Sequence, residues 1–308
     1  MPRWKRNLLV LLLALVAFGY QYARSPSFRR QCGRLMAEWR GGGSRTAALP
    51  SGGKRDGHAG RVVVSAAAEP GGKWDNLDLG TPGRCDQVLE REGYALGYVE
   101  AWEQPAWVAY RLTKEEVMSR KASRMDAFMF DPEIKTGSAM PEDYQGSGYD
   151  RGHLAPAGDM HWSDKTMLES FYMSNMSPQN PSFNRGVWSK LEQAVRRFAY
   201  SEGSVFVVTG PIVTEDDTKT IGPSKVRVPG FYYKVVYDET PPEKMIAFIL
   251  PNKGSKKSLD SFVVTVDDVE EATGLDFFSA LPPEKQVELE SHSDPDAWPW
   301  RDKRRGGR

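Results

Sequence analysis

The sequence predicts an α+β domain with a mixed, mainly antiparallel sheet core and flanking helices. Two observations predict it. Six short runs rich in aromatic and β-branched residues read as strands, and the last four follow one another along the C-terminal half. A single long segment beginning near residue 183 repeats its apolar residues at helical spacing. Strands in series beside a few helices place the chain in the α+β class. Its 308 residues, 40% hydrophobic and 27% charged, suffice for one substantial domain plus extensions.

The elements follow in order. Leu8 to Tyr20 is an apolar run preceded by Arg3, Lys5 and Arg6, the pattern of a secretory signal peptide or signal anchor over residues 1–23. Ala17-Phe18-Gly19 is a poor cleavage site, which favours an uncleaved membrane anchor. The expected placement is then membrane-anchored with the domain outside the cytoplasm, periplasmic or extracellular, or secreted if cleaved. A mitochondrial import sequence is the alternative, since residues 1–37 hold no Asp or Glu. Against it, the run is apolar all round a helix and not on one face. Residues 24–74 read as a flexible basic tether, 75–282 as the folded domain, and 283–308 as a flexible polar and basic tail carrying Trp298 and Trp300. The two cysteines, Cys32 and Cys85, leave the redox compartment open, and a disulfide between them would staple little.

Within the domain, 94–102 and 106–112 read as strands, with Gln104-Pro105 as the turn between them. Residues 114–119 suit a short helical turn, and 131–148, with two prolines and three glycines, a long irregular segment. Ser163 is a candidate N-cap for a helix through Tyr172, and Pro178 and Pro181 imply an extended loop. A helix from 183 or 184 to 200 would bury Trp188, Leu191, Val195, Phe198 and Ala199. Strands resume at 204–209, 231–238, 245–250 and 262–265, and Asp267 with Glu270 suggests a capped helix that Gly274 stops.

The chemistry concentrates in two stretches. The first is Asp150-Arg151-Gly152-His153-Leu154-Ala155-Pro156-Ala157-Gly158-Asp159. The second begins Ser174-Asn175-Met176-Ser177-Pro178-Gln179-Asn180-Pro181 and continues through Asn184-Arg185-Gly186-Val187-Trp188 to Glu192. Histidine titrates nearest neutrality and so suits proton transfer. Arginine is permanently cationic and forks onto phosphate. An asparagine carbonyl suits a hard cation. Base, cation and carboxamide together outline a phosphodiester-cleaving site. His161 and His292 carry no such context and read as structural.

This pairing resembles the DNA/RNA non-specific endonucleases, whose active site is a ββα-metal motif. The likeness runs from roughly Gly93 to Leu281. Asp-Arg-Gly-His alone is a weak match; its combination with Asn184, Trp188 and Glu192 at this spacing is strong. The resemblance implies His153 as general base, Asn184 as ligand of one Mg²⁺ with Mn²⁺ as a substitute, and Glu192 behind it, holding metal-bound water. It implies that Arg151 and Arg124 neutralise the phosphate, and places Asn175 and Gln179 in support near the site. Arg185 and Arg196 are further candidates for substrate contact. Expected partners are DNA and RNA, the membrane through the N-terminal anchor, and a second copy in a homodimer.

Charge complicates the reading. The chain is formally neutral, and residues 75–282 hold 22 basic against 32 acidic residues. Nucleic-acid binders are usually basic, so steering toward DNA would be weak. Binding would rest on a local patch drawn from Arg120, Lys121, Arg124, Arg151, Arg185, Lys190, Arg196 and Arg197. Two competing readings follow: a catalytically silent, membrane-tethered nucleic-acid-binding module, or a phosphoesterase for a substrate other than nucleic acid.

Overall fold

A computed structural model of the protein describes residues 74–83 and 85–300. The expected anchor and most of the tether, and Cys32 with them, lie outside these residues. No helix among the described residues is long and apolar enough to cross a membrane.

The described chain runs β1 (Gln87–Glu90), β2 (Ala95–Val99), β3 (Gln104–Thr113), α1 (Lys114–Met118), β4 (Asp150–His153), α2 (Asp164–Glu169) and β5 (Met176–Gln179). It continues with α3 (Ser189–Glu202), β6 (Ser204–Ile212), β7 (Thr220–Ile221), β8 (Val226–Arg227), β9 (Phe231–Asp238), β10 (Lys244–Pro251) and β11 (Val263–Val264). α4 (Val266–Thr273) and α5 (Pro283–Glu290) close it. Seven strands form one sheet in the order β1-β2-β3-β6-β9-β10-β11, with every ladder antiparallel. β4 pairs with β5 in a separate two-stranded ribbon, and β7 with β8 in another.

Both faces of the large sheet are covered, so its strands read as nearly continuous apolar runs and not as an alternation. One face, through Tyr94, Leu96, Val108, Val207, Tyr232 and Val236, packs on Trp188, Leu191, Val195 and Phe198. The other, through Trp107, Val208, Tyr233 and Val235, packs on Val266, Val269, Phe277 and Phe278. Gly97 is required where it stands, because a Cβ there would lie 2.4 Å from the Trp107 ring.

Several expected boundaries shift for identifiable reasons. The β2–β3 turn closes at Glu103, in left-handed conformation, and Gln104-Pro105 belongs to β3. Proline is tolerated there because the register slips between Gly97 and Tyr98, opposite Pro105. Ser163 caps α2 as expected, but the helix ends at Glu169. The next carbonyls are already taken: Tyr94 Oη donates to Glu169 O at 2.7 Å, and Asn175 Nδ2 to Ser170 O at 2.9 Å. The expected loop around Pro178 is strand β5, satisfied by β4. The long helix is broken: Phe183–Trp188 is a π-type turn with Gly186 outside helical angles, and regular helix begins at Ser189. α4 is capped by Thr265 and Asp268, two residues earlier than Asp267 and Glu270 suggested.

The expected flexible tail needs the largest correction. Residues 283–300 are folded. Trp298 is 3% exposed and its ring lies 4.8 Å from Phe198, while Trp300 packs edge-on against Phe198 and Phe248. Two indoles bury enough apolar surface to hold an otherwise polar segment.

The irregular stretch 131–148 is tied down at its start. Asp131, fully buried, accepts from Arg91 at 2.6 and 2.7 Å, and its N–H donates to Ser138 Oγ at 2.8 Å. It delivers the chain directly into β4.

Candidate active site

The site is built on β4, β5 and the start of α3. Gly152 lets the ribbon form, since a Cβ there would lie 2.2 Å from Cδ of Gln179 on the facing strand. After His153, Asn175 clamps the turn. Its Oδ1 accepts from Ala155 N and its Nδ2 donates to Ala155 O and Ser170 O, all at 2.9 Å.

His153 sits in an aromatic slot. The Phe171 ring stands perpendicular to it at 4.9 Å and Phe128 lies 5.7 Å away. Its Nε2 is buried with no hydrogen-bond partner among the described residues. Burial, then the cationic Arg124 and Arg151 against an opposing Asp126, pushes its pKa down to about 3. The imidazole is therefore neutral at ordinary pH, with a ring nitrogen uncommitted.

Two arginines flank it. Arg151 lies 4.0 Å over Phe128, on the same face of β4 as His153, with no acidic partner among the described residues. Arg124 lies 5.2 Å over Phe171 and pairs with Asp126 at 2.7 Å. Its charge acts on both His153 and Glu192.

Asn184 is held by Asp150, the first residue of β4. Its Nδ2 donates to Asp150 Oδ2 at 2.9 Å. A carboxylate only accepts, so the amide must present its nitrogen there and turn its oxygen the other way. Arg185 closes on the same carboxylate at 2.8 and 2.6 Å, with a side chain 73% exposed.

Glu192, in the first turn of α3, tops a buried charged group. Burial raises its pKa to about 7, against the pull of Arg196 and Lys234. Arg196 pairs with Asp159 at 2.5 Å, and Tyr110 Oη donates to the other Asp159 oxygen at 3.0 Å. Lys234 is fully buried in the centre of β9, on the face that packs α3. Its Nζ has no hydrogen-bond partner among the described residues and lies 5.0 Å from the Trp188 ring. Burial lowers its pKa to about 8, against Glu192 and Asp159.

Gln179 is fully buried beside Gly152, with neither amide atom hydrogen-bonded to the described residues, a supporting place in the ribbon. One sequence expectation changes here: Arg196, a candidate substrate contact, pairs with Asp159 at 2.5 Å and its side chain is only 23% exposed. His161 is structural as expected, its Nδ1 2.8 Å from Ala122 O. Sequence reasoning missed Lys234, Asp159 and Tyr110 as one buried group. The available signal was a lysine interrupting Phe231-Tyr232-Tyr233 and Val235-Val236-Tyr237.

This arrangement can bind an anion on two guanidinium groups, present a neutral base to it, and offer a hard cation an oriented carboxamide oxygen. Comparison with known proteins gives the family. The family model for DNA/RNA non-specific endonucleases matches residues 74–284. Mouse "Nuclease EXOG, mitochondrial" is 36% identical over 226 residues, 68% of this chain and 61% of that protein. The match thus spans about three fifths of that relative's length. The "Mitochondrial nuclease" of Saccharomyces cerevisiae is 33% identical over 238 residues, covering 68% of this chain and 71% of that one. Among solved structures, an EndoG/EndoGI complex determined for the mechanism of EndoG inhibition superposes with a TM-score of 0.61 and 35% identity. It covers 67% of this chain and 91% of that one. The chain therefore belongs to the DNA/RNA non-specific endonuclease family.

Proposed function

We propose that the protein is a metal-dependent endonuclease that hydrolyses phosphodiester bonds of DNA and RNA with little sequence preference. The observation that carries this is the orientation of Asn184 by Asp150, on the strand that also bears Arg151 and His153. His153 accepts the proton of the attacking water, and its neutrality fits that role. Arg151 and Arg124 receive the phosphodiester, whose negative charge offsets their part, second to that of burial, in depressing His153. Asn184 would hold Mg²⁺, with Mn²⁺ able to substitute, and the residues fit: the carboxamide is a neutral oxygen donor fixed by a carboxylate. When bound, the ion would supply charge stabilisation to the phosphoryl and leaving oxygens. Glu192 would hold water near it. None of these groups reads a base edge or a 2′-hydroxyl, hence the broad substrate range.

The net negative domain disfavours a silent binding module, which would need positive charge over a wide surface. The mitochondrial names of both relatives, with the acid-free residues 1–37, favour the mitochondrial destination over a membrane-anchored one. Supercoiled plasmid and a long single-stranded RNA, incubated with the purified protein and Mg²⁺, test the reading. Both should be cut internally, and a chelator should stop cleavage. Intact substrates, or cleavage indifferent to chelation, would rule it out.

A further inference from the structure

On the sheet face opposite the reaction centre, α4 and α5 bring three carboxylates together. Asp267 and Glu270 are one turn apart on α4, and Glu290 is the last residue of α5. One oxygen from each lies within 4.8 Å of the others. Acidic groups often cluster on surfaces, but Glu290 is not a surface residue. It is 5% exposed, and its Oε1 is buried with no hydrogen-bond partner among the described residues. A desolvated carboxylate oxygen facing two others is costly unless something positive meets it. No basic side chain among the described residues does so. The side chains acting on Glu290 are Glu270, Asp267 and Asp276; Glu270 accepts the Phe277 N–H on its Oε1 at 2.8 Å and is otherwise faced by Asp276 and Asp267. Burial and these acids push Glu290 up to about 8.

We propose that Asp267, Glu270 and Glu290 form a binding site for a hard divalent cation of calcium's size, which clips α5 to α4. The donor set decides the class of ion. Three carboxylates without histidine or cysteine select an oxygen-seeking metal. Magnesium usually takes one or two carboxylates and keeps its waters, whereas calcium accepts several carboxylates in variable geometry. The ion would neutralise the pocket and fix the segment that leads to Trp298. The site is separate from Asn184 and independent of the nuclease reading.

Thermal unfolding of the full-length protein, stripped with EDTA and titrated with calcium chloride, tests the site. Wild type should show a saturable rise in Tm, roughly 5–10 °C at a hundredfold excess over Kd. Asn184→Ala should show the same rise and Glu290→Gln none. Asp267→Asn, at an exposed position that folding tolerates, should need about tenfold more calcium because one ligand charge is gone. It carries the test if Glu290→Gln fails to fold. No rise in wild type overturns the proposal, and a Glu290→Gln protein more stable than wild type would then show that the pocket holds a proton instead. A rise undiminished in Glu290→Gln, or lost in Asn184→Ala, overturns it too, by placing calcium elsewhere.

Discussion

Asp150→Ala should weaken metal binding without removing any residue that touches the metal. The Asp150 carboxylate accepts Asn184 Nδ2 at 2.9 Å and both arms of Arg185 at 2.8 and 2.6 Å. The arm from Arg185 comes from a side chain 73% exposed, so solvent screens it and it contributes little. The Asn184 bond is charge-assisted and half-buried, a class worth about 1.5–3 kcal/mol. Without it the carboxamide can rotate, and nothing else seen in the site fixes which atom faces the ion. At about 1.4 kcal/mol per tenfold, the half-saturating Mg²⁺ concentration should rise roughly 10–100-fold, the range seen when supporting shells of metal sites are removed. The assay is the initial rate of plasmid cleavage against Mg²⁺ concentration, with Mn²⁺ binding by calorimetry as the direct readout. Arg185→Ala is the control and should leave half-saturation nearly unchanged. If Asp150→Ala lowers the rate at saturating Mg²⁺ while metal affinity stays as in wild type, orientation of Asn184 is not what Asp150 does.

Three further outcomes are expected. Lys234→Met keeps volume but removes the buried charge that favours ionised Glu192, so the acid limb of the rate profile should move to higher pH; a superimposable profile would show that Lys234 only fills space. His153, held near 3 when folded against 6.5 unfolded, contributes stability that is complete above pH 6.5 and lost as pH falls toward 3. The slope is at most about 1.4 kcal/mol per unit. Glu192, raised to about 7, gives the opposite slope as pH rises through its window, so urea unfolding of wild type beside His153→Asn at pH 7 and 5 isolates the histidine; equal slopes would refute its burial as a neutral ring. Trp298→Ala should cost about 3–5 kcal/mol in urea unfolding, as large aromatics removed from a core do, whereas a loss under about 1 kcal/mol would detach residues 283–300 from the core.

Much of the fold was legible because its strands are long and covered on both faces. Phe231–Asp238 matches its expected strand end to end, and Gly274 stops α4 as expected. What escaped was structure held by distant partners. β5 contains Pro178, which local preference assigns to a loop, and only pairing with β4 makes it a strand. α2 stops early because Tyr94 and Asn175 claim its carbonyls from elsewhere in the chain. The tail looked polar because Trp298 and Trp300 bury themselves singly, with no periodic pattern to announce them. In the site, residues within the quoted motifs were visible as a set. The support beneath Glu192 was not, because Tyr110, Asp159, Arg196 and Lys234 come from four separate elements and meet only in the folded chain.

The central claim is that His153, neutral beside two arginines, activates water for phosphodiester cleavage. The most direct measurement is the single-turnover cleavage rate of plasmid by His153→Ala at saturating Mg²⁺, with circular dichroism and Tm matched to wild type. Removal of a general base should lower that rate by about 10²–10⁴-fold. A folded His153→Ala protein that cuts within a few-fold of the wild-type rate would contradict the assignment.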